Sequence, residues 1–290
     1  MARDTGFPDA DARADFDRAR RRASLARLAA WIMRQPGDVA EVLPYDEVIA
    51  ALGLVSERNL GLQVIEVASI VGSVDRTGDF DRYFRPINPA LRARWLRLAA
   101  AQRRGESMPP IVVKRVGDMH FVVDGHHRVS IAFARHFETI DAYVTEVVTR
   151  VSATGVNARS DLLVKDHRRL FLSRVPLDGA QRDAVRMSDG WDYSRLAESV
   201  EAWGFRLMQE TGEFAGRPEV ARRWFGEEFL PVVRMARAAE ILPEATDAEL
   251  YLFVACERYR LVRRHAWSEE IMDAVSEQAR AHGWAPGRFF

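Results

Sequence analysis

The stretch Phe121-Val122-Val123-Asp124-Gly125-His126-His127-Arg128, with the apolar-periodic run Val129 to Phe137 behind it, constrains this chain more than any other. A short β-branched strand runs into a glycine turn, and the turn opens a helix. The first amide groups of a helix have no partner within it and sit at the positive end of its dipole, which makes them a seat for phosphate or carboxylate. Arg128 adds a two-pronged anion donor, and His126 and His127 can donate, accept or carry a proton near neutral pH. The stretch reads as an anion site formed by Asp124, Gly125, His126, His127 and Arg128.

The surrounding pattern predicts a mixed unit. Gln63 to Val71 is β-branched and reads as a first strand, followed by a polar loop from Val74 to Pro86. Asn88-Pro89 starts an amphipathic helix over Ala90 to Arg104. Ile111 to Arg115 and His120 to Val123 read as a hairpin about Gly117-Asp118, and Thr139 to Val148 as a last strand. Residues 60–150 thus read β-loop-α-β-β-α-β. Ahead of them stand a frayed tail of about a dozen residues, a helix over Ala14 to Arg34 ended by Pro36-Gly37, and a short helix over Asp46 to Leu52.

Beyond Ser160 strands give way to helices: Arg195 to Thr211, Arg217 to Leu242 with Pro231 set to kink or divide it, Thr246 to Arg264, and Ser268 to His282. Thr246-Asp247-Ala248-Glu249 has the form of a capping box. The expected organisation is α+β: an N-terminal tail and helices over 1–60, a mixed domain over 61–155 and an all-α domain over 160–290.

Lys+Arg and Asp+Glu both number 42 in 290 residues, so there is no basic excess of the kind DNA-binding domains carry, although balanced totals can hide a basic face. Cys256 is the only cysteine, which excludes an intramolecular disulfide or a thiolate cluster and fits a cytoplasmic protein. No apolar run reaches the ~20 residues of a membrane span, and Met1 to Arg20 has no signal-peptide core. The run Arg18, Arg20, Arg21 and Arg22 reads as a solvated helix face balanced by Asp9, Asp11, Asp15 and Asp17.

The Pro-Pro-Ile-Val strand followed by Val-Val-Asp-Gly-His-His-Arg at a helix start resembles the ParB/sulfiredoxin superfamily, over about a third of the chain. The motif is most similar to the archaeal free-serine kinase branch, and Gly72-Ser73-Val74-Asp75-Arg76 with the helical tail is similar to actinobacterial "ParB-like nuclease domain" proteins. The resemblance implies a nucleotide (ATP, ADP or CTP) with Mg²⁺, held by Asp124 to Arg128 with Ser73 and Arg76. Where the kinase branch has a glutamate base, this chain offers Asp79 or Asp81, with His126 as a further catalytic candidate. Sulfiredoxins carry a cysteine at the position of His126, so their thiolate chemistry does not carry over. The expected activity is hydrolysis of the ligand or transfer of its phosphoryl group. The alternative is a non-catalytic, nucleotide-switched regulator that binds DNA or protein, with nuclease activity a third reading from the family label. The helical half can cover the site, form a homodimer or bind a partner.

Overall fold

The computed structural model describes residues 5–34 and 41–262, together with 272–273 and 275–277. The chain divides into two compact units, Met1–Leu162 and Leu163–Phe290. It is a mixed α/β protein with one six-stranded sheet, and no helix among the described residues is long and apolar enough to cross a membrane.

In the first unit the elements are α1 (Pro8–Ile32), β1 (Leu43–Pro44), α2 (Tyr45–Leu52), β2 (Leu54–Glu66), β3 (Ile70–Ser73), α3 (Arg92–Arg103), β4 (Ile111–Val116), β5 (Met119–Asp124), α4 (His126–Arg135) and β6 (Thr139–Thr149). The sheet order is β1-β3-β5-β4-β6-β2, with β3 parallel to β5 and β2 antiparallel to β6. The expected first strand is therefore two. The chain leaves β2 at Glu66, makes one 3-10 turn closed by the bond from Ser69 Oγ to Glu66 C=O, and enters β3 on the other side of the sheet.

From Thr5 onward the described residues are not a frayed tail. Pro8 starts α1 with its fixed φ, and the buried Asp11 carboxylate accepts from Thr5 N–H (3.0 Å) and Thr5 Oγ1 (2.7 Å). Nor are all four acidic residues of α1 a solvated counterweight to its arginines. Asp11 and Asp15 are buried against Arg103 of α3, with 2.5 Å between Arg103 Nη2 and Asp15 Oδ2. Phe16 meets Trp95 edge-on at 5.4 Å, and Trp95 Nε1 donates to Ser130 Oγ of α4 at 2.9 Å. Residues before 60 therefore belong to the same packed unit as the sheet: α1 rests on α3 and α4, and β2 supplies an edge.

The core under α4 includes Ile65, Ile70, Phe80, Phe84, Ile111, Val113, Val122, Val129 and Val144. It fixes the end of β5 and the start of α4 relative to the loop between β3 and α3.

Among the described residues of the second unit the regular elements are all helices. They are α5 (Asp161–Arg174, which begins at the boundary), α6 (Gly179–Ala184), α7 (Asp192–Thr211), α8 (Arg217–Trp224), α9 (Leu230–Ala238) and α10 (Asp247–Val262). The stretch from Arg217 is divided at Pro231, as its position implies, and it ends at Ala238. The turn Phe225–Phe229 widens to π geometry just ahead of the proline, and α9 resumes with Pro231 in its first turn, where the missing N–H is tolerated. Trp224, Phe229 and Tyr251 form an aromatic core, with Trp224 Nε1 donating to Tyr251 Oη (3.1 Å). The predicted helix over Ser268 to His282 lies largely outside the described residues, as does the stop at Pro36-Gly37.

Candidate functional site

Gly125 makes the turn possible. It has φ +101°, and a Cβ there would lie 2.5 Å from Ile111 Cγ2 and 2.9 Å from Ile111 Cβ. Only glycine brings the chain from β5 into α4 this close to β4. Gly72 does the same one strand away, since a Cβ would meet Phe121 at 2.1 Å, and this lets β3 lie flush beside β5.

Val129 N–H reaches Gly125 C=O at 3.0 Å, so the amides of His126, His127 and Arg128 precede the first intrahelical bond, and no side chain caps them. This is the open donor set that the sequence implied.

His126 and His127 are buried. His126 Nε2 lies 2.8 Å from Ser73 Oγ, and Ser73 Oγ also accepts from Arg76 N–H at 3.0 Å. The Phe80 ring stacks on His126 at 6.2 Å and stands edge-on to His127 at 6.1 Å. Burial first, and the Arg76 charge second, push His126 down to about 4; burial, then Arg94 and Arg76, do the same for His127. Both imidazoles are neutral at pH 7. His127 Nδ1 is sealed from solvent and, among the described residues, has no hydrogen-bond partner.

Arg128 does not reach out as a free anion fork. It donates to the carbonyls of Pro109 and Pro110 (2.7 Å to Pro110) and to Asp124 Oδ2 (2.8 Å). It fastens the Pro109-Pro110 segment to the start of α4, which gives Asp124 a fastening role as well. Ser73, fully buried, sets the orientation of His126 and shows a ligand no free face. Two further cations act on the buried histidines: Arg76 on the loop, which also lies 3.6 Å from Asp79 Oδ2, and Arg94 on α3, both exposed.

The two candidate carboxylates separate clearly. Asp81 is buried, its Oδ1 accepts from the amides of Tyr83 and Arg85 (3.0 Å each), and its Oδ2 accepts from Arg85 Nε (2.7 Å). Asp81 is thus the brace of the loop, with no oxygen to spare. Asp79 is half-buried. Its Oδ1 accepts from Asn88 Nδ2 (2.9 Å), its Oδ2 lies 3.6 Å from Arg76 Nη1, and its charge reaches His127. Asp79 belongs to the group around the α4 start, whereas Asp81 holds that group's loop in shape.

Sequence reasoning missed Arg94, Phe80 and the two proline carbonyls. Phe80 had a signal, as a lone aromatic in the polar run Asp75 to Arg82. Arg94 had none, because it is one of several arginines on the outer face of α3.

A second basic groove of about 290 Å³ lies at the other end of α4, among Arg18, Arg22, Arg85 and His136. Arg18 and Arg85 are already paired there with Asp15 and Asp81.

Among the described residues no group of three His, Cys, Asp or Glu is placed to hold a metal ion. In comparisons with known families, with curated proteins and with solved structures, nothing matches this chain.

Proposed function

We propose that the first unit binds a phosphorylated small molecule, of the nucleoside di- or triphosphate class, at the start of α4 and hydrolyses it or transfers its phosphoryl group. The observation that carries this reading is the uncapped turn His126-His127-Arg128 with Arg76 and Arg94 beside it and an unsatisfied buried nitrogen on His127. Three convergent amides and two guanidinium groups are the equipment for a phosphate. The resemblance of residues 60–150 to the ParB/sulfiredoxin superfamily points to the same class of ligand.

Phosphoryl transfer rests on positioning and charge stabilisation, with a carboxylate to orient the attacking oxygen. Asp79 is assigned that role, because both oxygens of Asp81 are taken up inside the loop. Neutral His126, held by Ser73 and stacked by Phe80, sets the wall of the site and adds no charge. Mg²⁺ would be carried chiefly by the phosphate oxygens, with Asp79 as its protein ligand, and would neutralise charge on the transferred group.

The test is ligand-induced thermal stabilisation with nucleoside mono-, di- and triphosphates and Mg²⁺. A ligand at a hundred times its Kd adds about 2.7 kcal/mol, readily seen as a raised Tm. The double variant Arg76→Ala/Arg94→Ala loses the shift, whereas Asp79→Asn keeps the shift and loses turnover. Turnover that survives in Asp79→Asn overturns the base assignment, and a shift that survives in the double variant overturns the site.

A further inference from the structure

The buried positions of α1 run from Asp11 to Ala23, and from Ser24 to Ile32 the helix has no buried residue. Ala12 and Phe16 pack with Trp95 and Ala99 of α3 and Ile131 of α4, and the buried Ala19 and Ala23 continue that face at helical spacing. Leu25, Leu28 and Ile32 repeat the spacing on the other side of the helix. At about 100° per residue they are centred roughly 180° round from the packed face. Trp31 and Met33 border them, and the five side chains are from 51% (Leu28) to 77% (Trp31) exposed. A lone exposed apolar residue is ordinary, whereas a contiguous group of five marks a binding surface.

The charge around the stripe decides what can cover it. From Ala19 to Arg34 there are five arginines, Arg20, Arg21, Arg22, Arg27 and Arg34, and no acidic residue, in a chain whose charges balance overall. The carboxylates earlier in α1 do not neutralise them: Asp11 and Asp15 hold Arg103, and Asp17 holds Arg92. Among the described residues none of the five arginines is paired with a carboxylate. Two copies laid stripe against stripe would bring two sets of arginines together, at a cost. A nucleic acid would engage the arginines and leave Leu25, Leu28 and Ile32 in water. An anionic lipid surface meets both features, with guanidinium groups at the headgroup phosphates and the apolar side chains in the acyl boundary. Trp31 suits that boundary, being apolar in body with one polar N–H.

We propose that the end of α1, from Leu25 to Met33, docks the first unit on an anionic membrane surface. The helix lies in the plane of the interface and does not cross it, since ten residues from Ser24 span about 15 Å against the ~30 Å of a hydrocarbon core. Arg21 stands in line with the stripe one turn before Leu25, with Arg20 and Arg22 to either side, so the headgroup contacts form at the end nearest the packed half of α1. Because the stripe faces away from α3 and α4, it can enter the interface without unpacking them. The proposal is independent of the phosphate reading above.

The test is flotation of the full chain with vesicles of phosphatidylcholine alone and of phosphatidylcholine with about one-third phosphatidylglycerol. The protein is expected on the second and not on the first, and it leaves the vesicles as salt is raised. Leu28→Ser/Ile32→Ser and Arg21→Gln/Arg22→Gln each weaken the partition at least about tenfold, with melting points unchanged because all four side chains are exposed. Brominated acyl chains quench emission that Trp31→Phe lacks. Arg76→Ala/Arg94→Ala floats as wild type does, which separates this surface from the α4 start. Equal flotation on both vesicles, or flotation untouched by the two α1 variants, overturns the proposal. Absence of flotation overturns it too. A dimer dissociated by Leu28→Ser/Ile32→Ser then assigns the stripe to a second copy, and DNA binding lost in Arg21→Gln/Arg22→Gln assigns the arginines to nucleic acid.

Discussion

Two helix starts in this molecule solve the same problem in opposite ways. At α10 the orphan amides are closed by the chain itself: Thr246 N–H donates to Glu249 Oε2 (2.9 Å), Glu249 N–H donates to Thr246 Oγ1 (3.3 Å), and Ser188 N–H donates to Glu249 Oε1 (2.7 Å). At α4 the corresponding amides follow a glycine with no capping side chain, and the nearby polar groups face elsewhere: Ser73 toward His126, Arg128 toward the proline carbonyls. The first arrangement completes a fold. The second leaves its donors without a capping side chain, and under the reading proposed above they form the seat of the anion.

Acidification should separate the two starts most strongly. His120, His126 and His127 all stand at about 4 in the folded protein against 6.5 unfolded, with burial the main cause in each. Between those values the unfolded chain binds more protons, so the stability these groups contribute is whole above pH 6.5 and is lost as pH falls toward 4. The effect is of order 3 kcal/mol per histidine. Glu249 behaves differently. Burial pushes it up, but the Ser188 and Thr246 amides outweigh burial and hold it below the usual carboxylate range. Its contribution is present above the unfolded value of 4.5 and fades only as pH falls through its lower folded value. Hydrogen exchange from pH 7 to 4 should show the sheet unit loosening first. Loosening that begins around Thr246 would break the comparison.

Gly125→Val comes next. A β-branched residue at φ +101° with its Cβ inside Ile111 combines backbone strain with overpacking, and a loss of about 3–5 kcal/mol is expected in urea unfolding. Retained stability would mean that the turn at α4 is softer than its geometry.

Arg128→Ala should cost about 1.5–3 kcal/mol, because it frees two carbonyls and Asp124 from a charged donor. A denaturant midpoint unchanged from wild type would contradict the fastening role and return Arg128 to the ligand. The smallest effect is expected of Thr246→Ala, about 1 kcal/mol in the same measurement, with no change in any ligand response. A ligand response altered by Thr246→Ala would place the site elsewhere.

The strand-turn-helix at Gly125 and the capping box at Thr246 were legible because each is a local rule written in consecutive residues. The loop was legible as polar but not as a structure: Asp81 and Asp79 look alike in sequence, and only the amides of Tyr83 and Arg85 folding back on Asp81 tell them apart. The first half of β2 was invisible, because Ser56, Glu57, Arg58 and Asn59 are exposed on an edge strand whose partners, Thr145 to Val148, lie some ninety residues away. α5 was hidden in the same way, its buried Leu162, Phe171 and Leu172 set among the charges of Lys165 to Arg169. Arg128 looked free because the carbonyls that hold it belong to prolines nineteen and eighteen residues earlier.

The central claim is that the α4 start is an anion seat, and the most direct measurement is a titration of ¹⁵N-labelled protein with inorganic tripolyphosphate and Mg²⁺, followed at the backbone amides. The account predicts that the amides of His126, His127 and Arg128 shift first and together, and that these shifts vanish in Arg76→Ala/Arg94→Ala. Shifts centred on Arg18, Arg22 and His136, with the α4 start silent, would contradict it.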